Sequence, residues 1–285
     1  MDQRIIDLYD GFTHGHINRR DFIDRCASIV GSTAAAAAIL PMLKNDYAKA
    51  ATIAADDARL TSESITYDGA SGKIKGYLVH LKGETKRPAV IVIHENRGLN
   101  PHIMDIARRL AVEGYLALAP DLLSSMGGTP PNEEEAMKDI GKLDLAQVEK
   151  DLVATVGFLE THPQSTGKVG AIGFCWGGGM INQLAAASPK LDAAVAYYGR
   201  QIAADRVPNI KAPLLLQYGG LDKRIDAGIP AYEAALKANN KKFQIYVYEG
   251  ANHAFNNDTS PERYNKAAAD LAWSRTLAFF KTNLS

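Results

Sequence analysis

Lys168-Val-Gly-Ala-Ile-Gly-Phe-Cys175-Trp-Gly-Gly-Gly179 is the stretch that decides how this chain folds. Its first seven residues form an apolar run of strand length, and the residues from Trp176 to Ala187 read as a helix. Between them, Gly173-Phe174-Cys175-Trp176-Gly177 has the form G-x-nucleophile-x-G with cysteine as the nucleophile. The glycines belong to a turn so sharp that side chains two residues from the nucleophile would collide, and the turn holds the nucleophile exposed above a sheet. Amides at the start of the helix, with the helix dipole, favour negative charge at that point. They can depress a thiol pKa and later stabilise an oxyanion. Trp176 is expected to give one such amide and Asn96, in the loop after an earlier strand, the second. A phosphate-binding loop would need a basic residue or a Gly-Lys-Ser/Thr ending, which this turn lacks.

Outward from the turn, short β-branched runs alternate with amphipathic helical patterns. The reading predicts strands over 63–67, 73–80, 88–94, 116–120, 168–174, 193–198, 213–218 and 243–248. It predicts helices around 103–110, over 133–142, 145–161, 176–187 and 229–238, and over about 261–281. Asp68-Gly-Ala-Ser-Gly72 makes a hairpin of the first two strands, whereas 88–94 is apolar throughout, as for a strand buried on both faces. The fold class is α/β, a mostly parallel sheet with helices on both faces. The catalytic domain is expected over 61–285, preceded by an N-terminal segment over 1–60. At 285 residues and 46% hydrophobic, the chain buries a full core. Formal net charge is zero and the pI about 7.1, so no overall positive field exists to hold nucleic acid or an anionic membrane surface. A small-molecule partner fits better, and the sequence carries no signal of oligomeric state.

A nucleophile needs a base, and the base an orienting carboxylate. In this architecture both follow the nucleophile on loops at strand ends, acid before histidine. Asp222 follows strand 213–218 and His253 follows strand 243–248. Asp226, further from its strand end, is expected to cap a helix. Of the two cysteines, Cys26 reads as a buried small hydrophobe. His14-Gly15-His16 has no carboxylate or cysteine set at ligand spacing, so no metal is assigned to it.

The N-terminal segment has two readings. Asn18-Arg-Arg-Asp-Phe-Ile23 resembles a twin-arginine export motif before an apolar run from Cys26 to Leu43, and Ala48-Lys49-Ala50 offers a cleavage site. The mature protein would then start near Ala51 and work outside the cytoplasm, in the periplasm. The alternative is a cytoplasmic protein with an uncleaved helical extension, in which Leu8, Phe12, Phe22, Ile23 and Ile29 pack against the main domain. Pro41 and the short apolar run argue against a stable membrane span, which takes about 20 apolar residues.

From about Ser62 onward the chain resembles the dienelactone hydrolase family of the α/β-hydrolase superfamily. The motifs that carry the resemblance are His94-Glu95-x-x-Gly98, Ala119-Pro-Asp-Leu122, Gly173-Phe-Cys175-Trp-Gly-Gly178, Tyr197-Tyr198-Gly199, Gly219-x-x-Asp222 and His253-x-Phe255. The resemblance implies an α/β-hydrolase fold and a Cys175-Asp222-His253 triad. It also implies no metal or other cofactor, and hydrolysis of a carboxylic ester or lactone through an acyl-enzyme. It further implies that Glu95 holds the resting thiol and moves when substrate binds. The arginines with which family members grip a substrate carboxylate align with Ser125 and Asn257. Arg97, Arg200 and Arg224 are the alternative candidates for an anion grip, with Tyr198, Tyr197 and Trp176 lining or supporting the pocket. A carboxylesterase or thioesterase on the same scaffold, or a non-hydrolytic thiol-based binding or redox protein, is the competing reading.

Overall fold

The computed structural model describes residues 1–47 and 51–285. One eight-stranded sheet runs in the order β1-β2-β4-β3-β5-β6-β7-β8. Its strands are β1 (Leu60–Asp68), β2 (Lys73–Leu81), β3 (Arg87–Ile93), β4 (Leu116–Pro120), β5 (Ser165–Phe174), β6 (Ala193–Tyr197), β7 (Leu214–Gly219) and β8 (Phe243–Tyr248). The expected hairpin joins β1 and β2, with Asp68 opposite Lys73 and the Gly69 amide donating to Gly72 O at 2.8 Å. β2 pairs antiparallel with β4, and every pairing from β4 through β8 is parallel. Parallel strands need crossovers, and helices supply them.

Helices α4 (Pro101–Val112) and α10 (Lys266–Asn283) pack Ile103, Ile106, Leu110, Ala272 and Phe280 onto one face. On the other face α6 (Leu145–Glu160), α7 (Trp176–Ala187) and α9 (Ile229–Ala238) bury Leu152, Val156, Ile181, Leu184 and Leu236. Short helices α5 (Glu133–Ile140) and α8 (Lys223–Asp226) lie on the loops at the strands' C-terminal ends. The last helix begins later than the pattern predicts. A turn occupies 261–263, and Asn265 caps the helix by accepting from the Ala268 amide at 3.1 Å.

The N-terminal segment forms three helices, α1 (Gln3–Thr13), α2 (Arg19–Val30) and α3 (Thr33–Leu43). Each has a side-chain N-cap, from Asp2, Asn18 and Ser32, and Asn18 with Asp21 forms a capping box. Phe22, Cys26, Ala36 and Leu40 build a small core of their own, so Cys26 is the buried hydrophobe its neighbours suggest. The two arginines of the export-like motif begin α2, where Arg19 pairs with Glu134 at 2.7 Å. Among the described residues, no single helix is long and apolar enough to cross a membrane, and α2 and α3 meet at 113°. The small-residue cleavage motif at 48–50 lies outside the described residues.

Candidate active site

Cys175 sits at the junction of β5 and α7 with φ 55° and ψ −115°, a conformation a side chain adopts only when its surroundings impose it. The surroundings here are glycines. A Cβ on Gly177 would stand 2.4 Å from His94 O, and one on Gly178 2.5 Å from Tyr197 O, so the helix start meets the neighbouring strands backbone to backbone. The Cys175 amide donates to Tyr197 O at 3.1 Å and fixes the turn. The first amides of α7, beginning with Trp176, have no intrahelical acceptor, and Cys175 is the residue that caps that helix start.

Asp222 follows β7 and does two jobs with one carboxylate. Oδ1 caps α8 by accepting from the Ile225 amide at 3.3 Å, and Oδ2 accepts from His253 Nδ1 at 2.5 Å. The cap expected of Asp226 therefore belongs to Asp222. Asp226 lies inside the short helix, where burial, then the Asp222 charge, pushes its carboxyl up to about 6. With Nδ1–H given to Asp222, His253 leaves its other nitrogen, Nε2, buried and without a hydrogen-bond partner. His253 Nε2 and Cys175 Sγ lie within 4.8 Å of each other.

The nearest partner of the sulfur comes from the other end of the chain. His14, the residue after α1, places Nε2 3.1 Å from Cys175 Sγ. Its Nδ1 faces Asp10 O at 2.8 Å and Asp10 Oδ1 at 3.2 Å, and Arg224 Nη2 holds Asp10 Oδ2 at 3.0 Å. Both Asp10 atoms are acceptors, so Nδ1 carries the proton and Nε2 turns to the sulfur. The His14 and His253 rings meet edge to face, 4.9 Å apart.

Charge in this cluster is redistributed accordingly. Burial opposes ionisation of the Cys175 thiol, but the charges of His14 and then His253 outweigh it and bring the thiol down to about 6. Burial likewise opposes charge on His14, yet the sulfur and Asp10 raise it to about 9. His253 is raised well above its ordinary value against its own burial by Asp10, Asp222 and Cys175. Among the described residues, His14, Cys175 and His253 are also the donor set a thiophilic ion such as zinc would find.

The remaining expected residues are placed as follows. Glu95 is buried, and its Oε2 accepts from Asn257 Nδ2 at 2.8 Å while Oε1 has no partner, so its hydrogen bond goes to one of the aligned arginine positions rather than to the thiol. Asn96 is buried beside the site and its side chain donates to Thr13 O at 2.6 Å, tying that loop to α1. Arg97 is buried, faces Glu133 at 3.4 Å and donates to the Tyr9 hydroxyl at 3.3 Å. Arg200 and Ser125 are exposed. Of the three candidate arginines, Arg224 stands at the site, its Nη2 3.5 Å from His14 Nε2. Tyr198, fully buried with φ 39°, lies against the His253 ring at 5.0 Å, and Trp176 stacks on His94 at 5.5 Å. A cavity of about 220 Å³ opens between α1 and the Asp222 and His253 loops, with Asp10, Arg224 and Arg263 in its wall.

The dienelactone hydrolase family model matches residues 74–284. The chain belongs to the dienelactone hydrolase family. It is 34% identical over 255 residues to a Saccharolobus solfataricus protein named "Putative carboxymethylenebutenolidase", covering 77% of this chain and 98% of that one. A solved structure named "Putative Dienelactone Hydrolase" from Klebsiella pneumoniae superposes with a TM-score of 0.72 at 32% identity, over 78% of this chain and 98% of that one. The dienelactone hydrolase of Anabaena variabilis gives 0.63 at 25% identity, over 80% of this chain and 100% of that one. These likenesses make the chain a hydrolase of the α/β-hydrolase superfamily. A separate family model, YqhI-like, matches residues 1–31.

Sequence reasoning missed His14 and Asp10, because their target lies 161 residues along the chain from His14. One signal was local: Asp10 and His14 are spaced i, i+4 at the end of an amphipathic helix, the spacing of a carboxylate that holds an imidazole.

Proposed function

We propose that this dienelactone hydrolase family member hydrolyses small carboxylic esters or lactones through Cys175, His253 and Asp222. The observation that carries the reading is the Asp222–His253 pair at 2.5 Å, with the free imidazole nitrogen buried beside the strained nucleophile turn. The Cys175 thiolate, with a proton held on His253, attacks the acyl carbon. The oxyanion that forms is held by the amides of Trp176 and Asn96. The C–O bond breaks and the leaving alkoxide takes the proton from His253; in a lactone that alcohol stays tethered to the acyl group. Water then gives a proton to His253, its oxygen attacks the thioester, and the acid departs as the thiolate is restored.

Arg224 is the guanidinium best placed to meet a substrate carboxylate, in competition with Asp10. Arg224→Gln should raise KM for an anionic ester more than for its neutral analogue. Equal changes would remove Arg224 from substrate recognition. The decisive test of the reaction itself is Cys175→Ala assayed on aryl acetates and unsaturated lactones. Loss of turnover is expected, and retained turnover would sink the proposal. We further propose that residues 1–50 stay attached as an extension rather than leaving as an export signal, since α1 donates to and accepts from three loops of the site.

A further inference from the structure

We propose that His14, delivered by the N-terminal helices and held by Asp10, is a further catalytic residue that hydrogen-bonds and charge-stabilises the Cys175 thiolate throughout turnover. The inference rests on the Cys175 reading above and deepens it. The sulfur faces two imidazoles, each with a carboxylate on its Nδ1 side: His253 with Asp222, and His14 with Asp10. Of the two, it is His14 that lies within hydrogen-bond distance of Sγ, at 3.1 Å, while His253 Nε2 has no partner. Such an arrangement divides the labour.

An imidazolium at His14 donates Nε2–H to the thiolate and keeps its own proton. His253 is then free to shuttle protons, giving one to the leaving alkoxide and taking one from water. The proton count closes over the cycle, because His14 begins and ends as imidazolium and Cys175 as thiolate. The benefit is largest where negative charge on sulfur is largest: in the resting enzyme, and again as the thioester collapses and sulfur leaves. In this conformation the thiol does not hydrogen-bond Glu95, whose carboxylate Asn257 holds instead. The groups facing the sulfur from the packed elements are His14 and Asp10 from the N-terminal segment, Asp222 before α8 and Arg224 in it, His253 from its loop, and Glu95 and Tyr198 from the loops after β3 and β6. Of these, the groups that can donate to a thiolate at 3.1 Å reduce to His14.

The test uses the full-length protein in chelator, with two readouts. The first is the pH dependence of iodoacetamide alkylation at Cys175. In the wild type it should rise with a limb near pH 6. In His14→Ala the limb should move toward the ordinary thiol range, and alkylation at neutral pH should slow by about tenfold or more, the fraction of thiolate lost. The second is ester turnover, where His14→Ala should lose about 10²-fold in kcat/KM with partial rescue by free imidazole. His14→Gln keeps a neutral donor of similar size and should fold where alanine fails to, as checked by circular dichroism. It too should show the shifted limb, because it lacks the charge. An unmoved limb in a folded His14 variant overturns the inference, as does a rise in turnover, which would make the segment a plug. Cys175→Ala separates the two layers: if it keeps turnover the proposed function fails, and if only His14→Ala is silent the function stands without this residue.

Discussion

At the residue scale, a carboxylate fixes which nitrogen of an imidazole faces the reaction, and Asp222 does so for His253. Asp222→Asn would favour the wrong tautomer, and kcat should fall by about 10³–10⁴-fold with the fold intact, checked by turnover against circular dichroism. The pH profile follows from the directions of the shifts. Ionisation of Cys175, lowered chiefly against burial by His14 and His253, makes kcat/KM rise as pH passes about 6. Loss of the His14 charge, raised against burial by Cys175 and Asp10, makes it fall as pH passes about 9. A profile with a flat top between those limbs is expected, and the two midpoints belong to the coupled pair rather than to single residues. Cys175, Asp222 and His253 were legible because strand ends are periodic features of a sequence. His14 was not, because nothing local to residues 10–16 announces a sulfur that only the folded chain brings near. Asn257 reads in the sequence as a departure from the aligned arginine, whereas its grip on Glu95 is a contact across 162 residues.

Elements were legible to the extent that their burial is regular. β3 is apolar in sequence and fully buried over Ala89–Ile93, and α7 and β4 begin and end where their patterns predict. The start of α10 was misplaced because Pro261 mimics a first-turn proline, whereas the Asn265 side chain sets the true cap. Close approach of α7 to β6 gives the sharpest element-scale prediction. Gly178→Ala puts a Cβ against Tyr197 O and Gly199, and should destabilise the protein by about 1–3 kcal/mol. That is a fall in Tm of roughly 2–4 °C per kcal/mol, measurable by calorimetry. The three N-terminal helices have their own core, and Phe22→Ala empties its centre at a cost of about 3–5 kcal/mol. Hydrogen exchange should then rise over 3–43 before it rises in the sheet, and the Cys175 alkylation limb should shift as it does in His14 variants.

Over the whole molecule, the N-terminal helices bring His14 to the Cys175 turn at the C-terminal edge of one sheet. If the extension is retained, the intact mass of purified protein corresponds to a chain that still carries residues 1–50. A mass that begins near Ala51 would restore the export reading and leave the site without His14. The His14–Cys175 and Asn257–Glu95 contacts each close a loop of more than half the chain, so neither can form until most of the protein has been synthesised and ordered. During refolding from denaturant, secondary structure should therefore recover before the thiol becomes fast-reacting. The sulfur thus serves as a reporter of the final docking event, and a half-folded chain is spared an indiscriminately reactive thiolate.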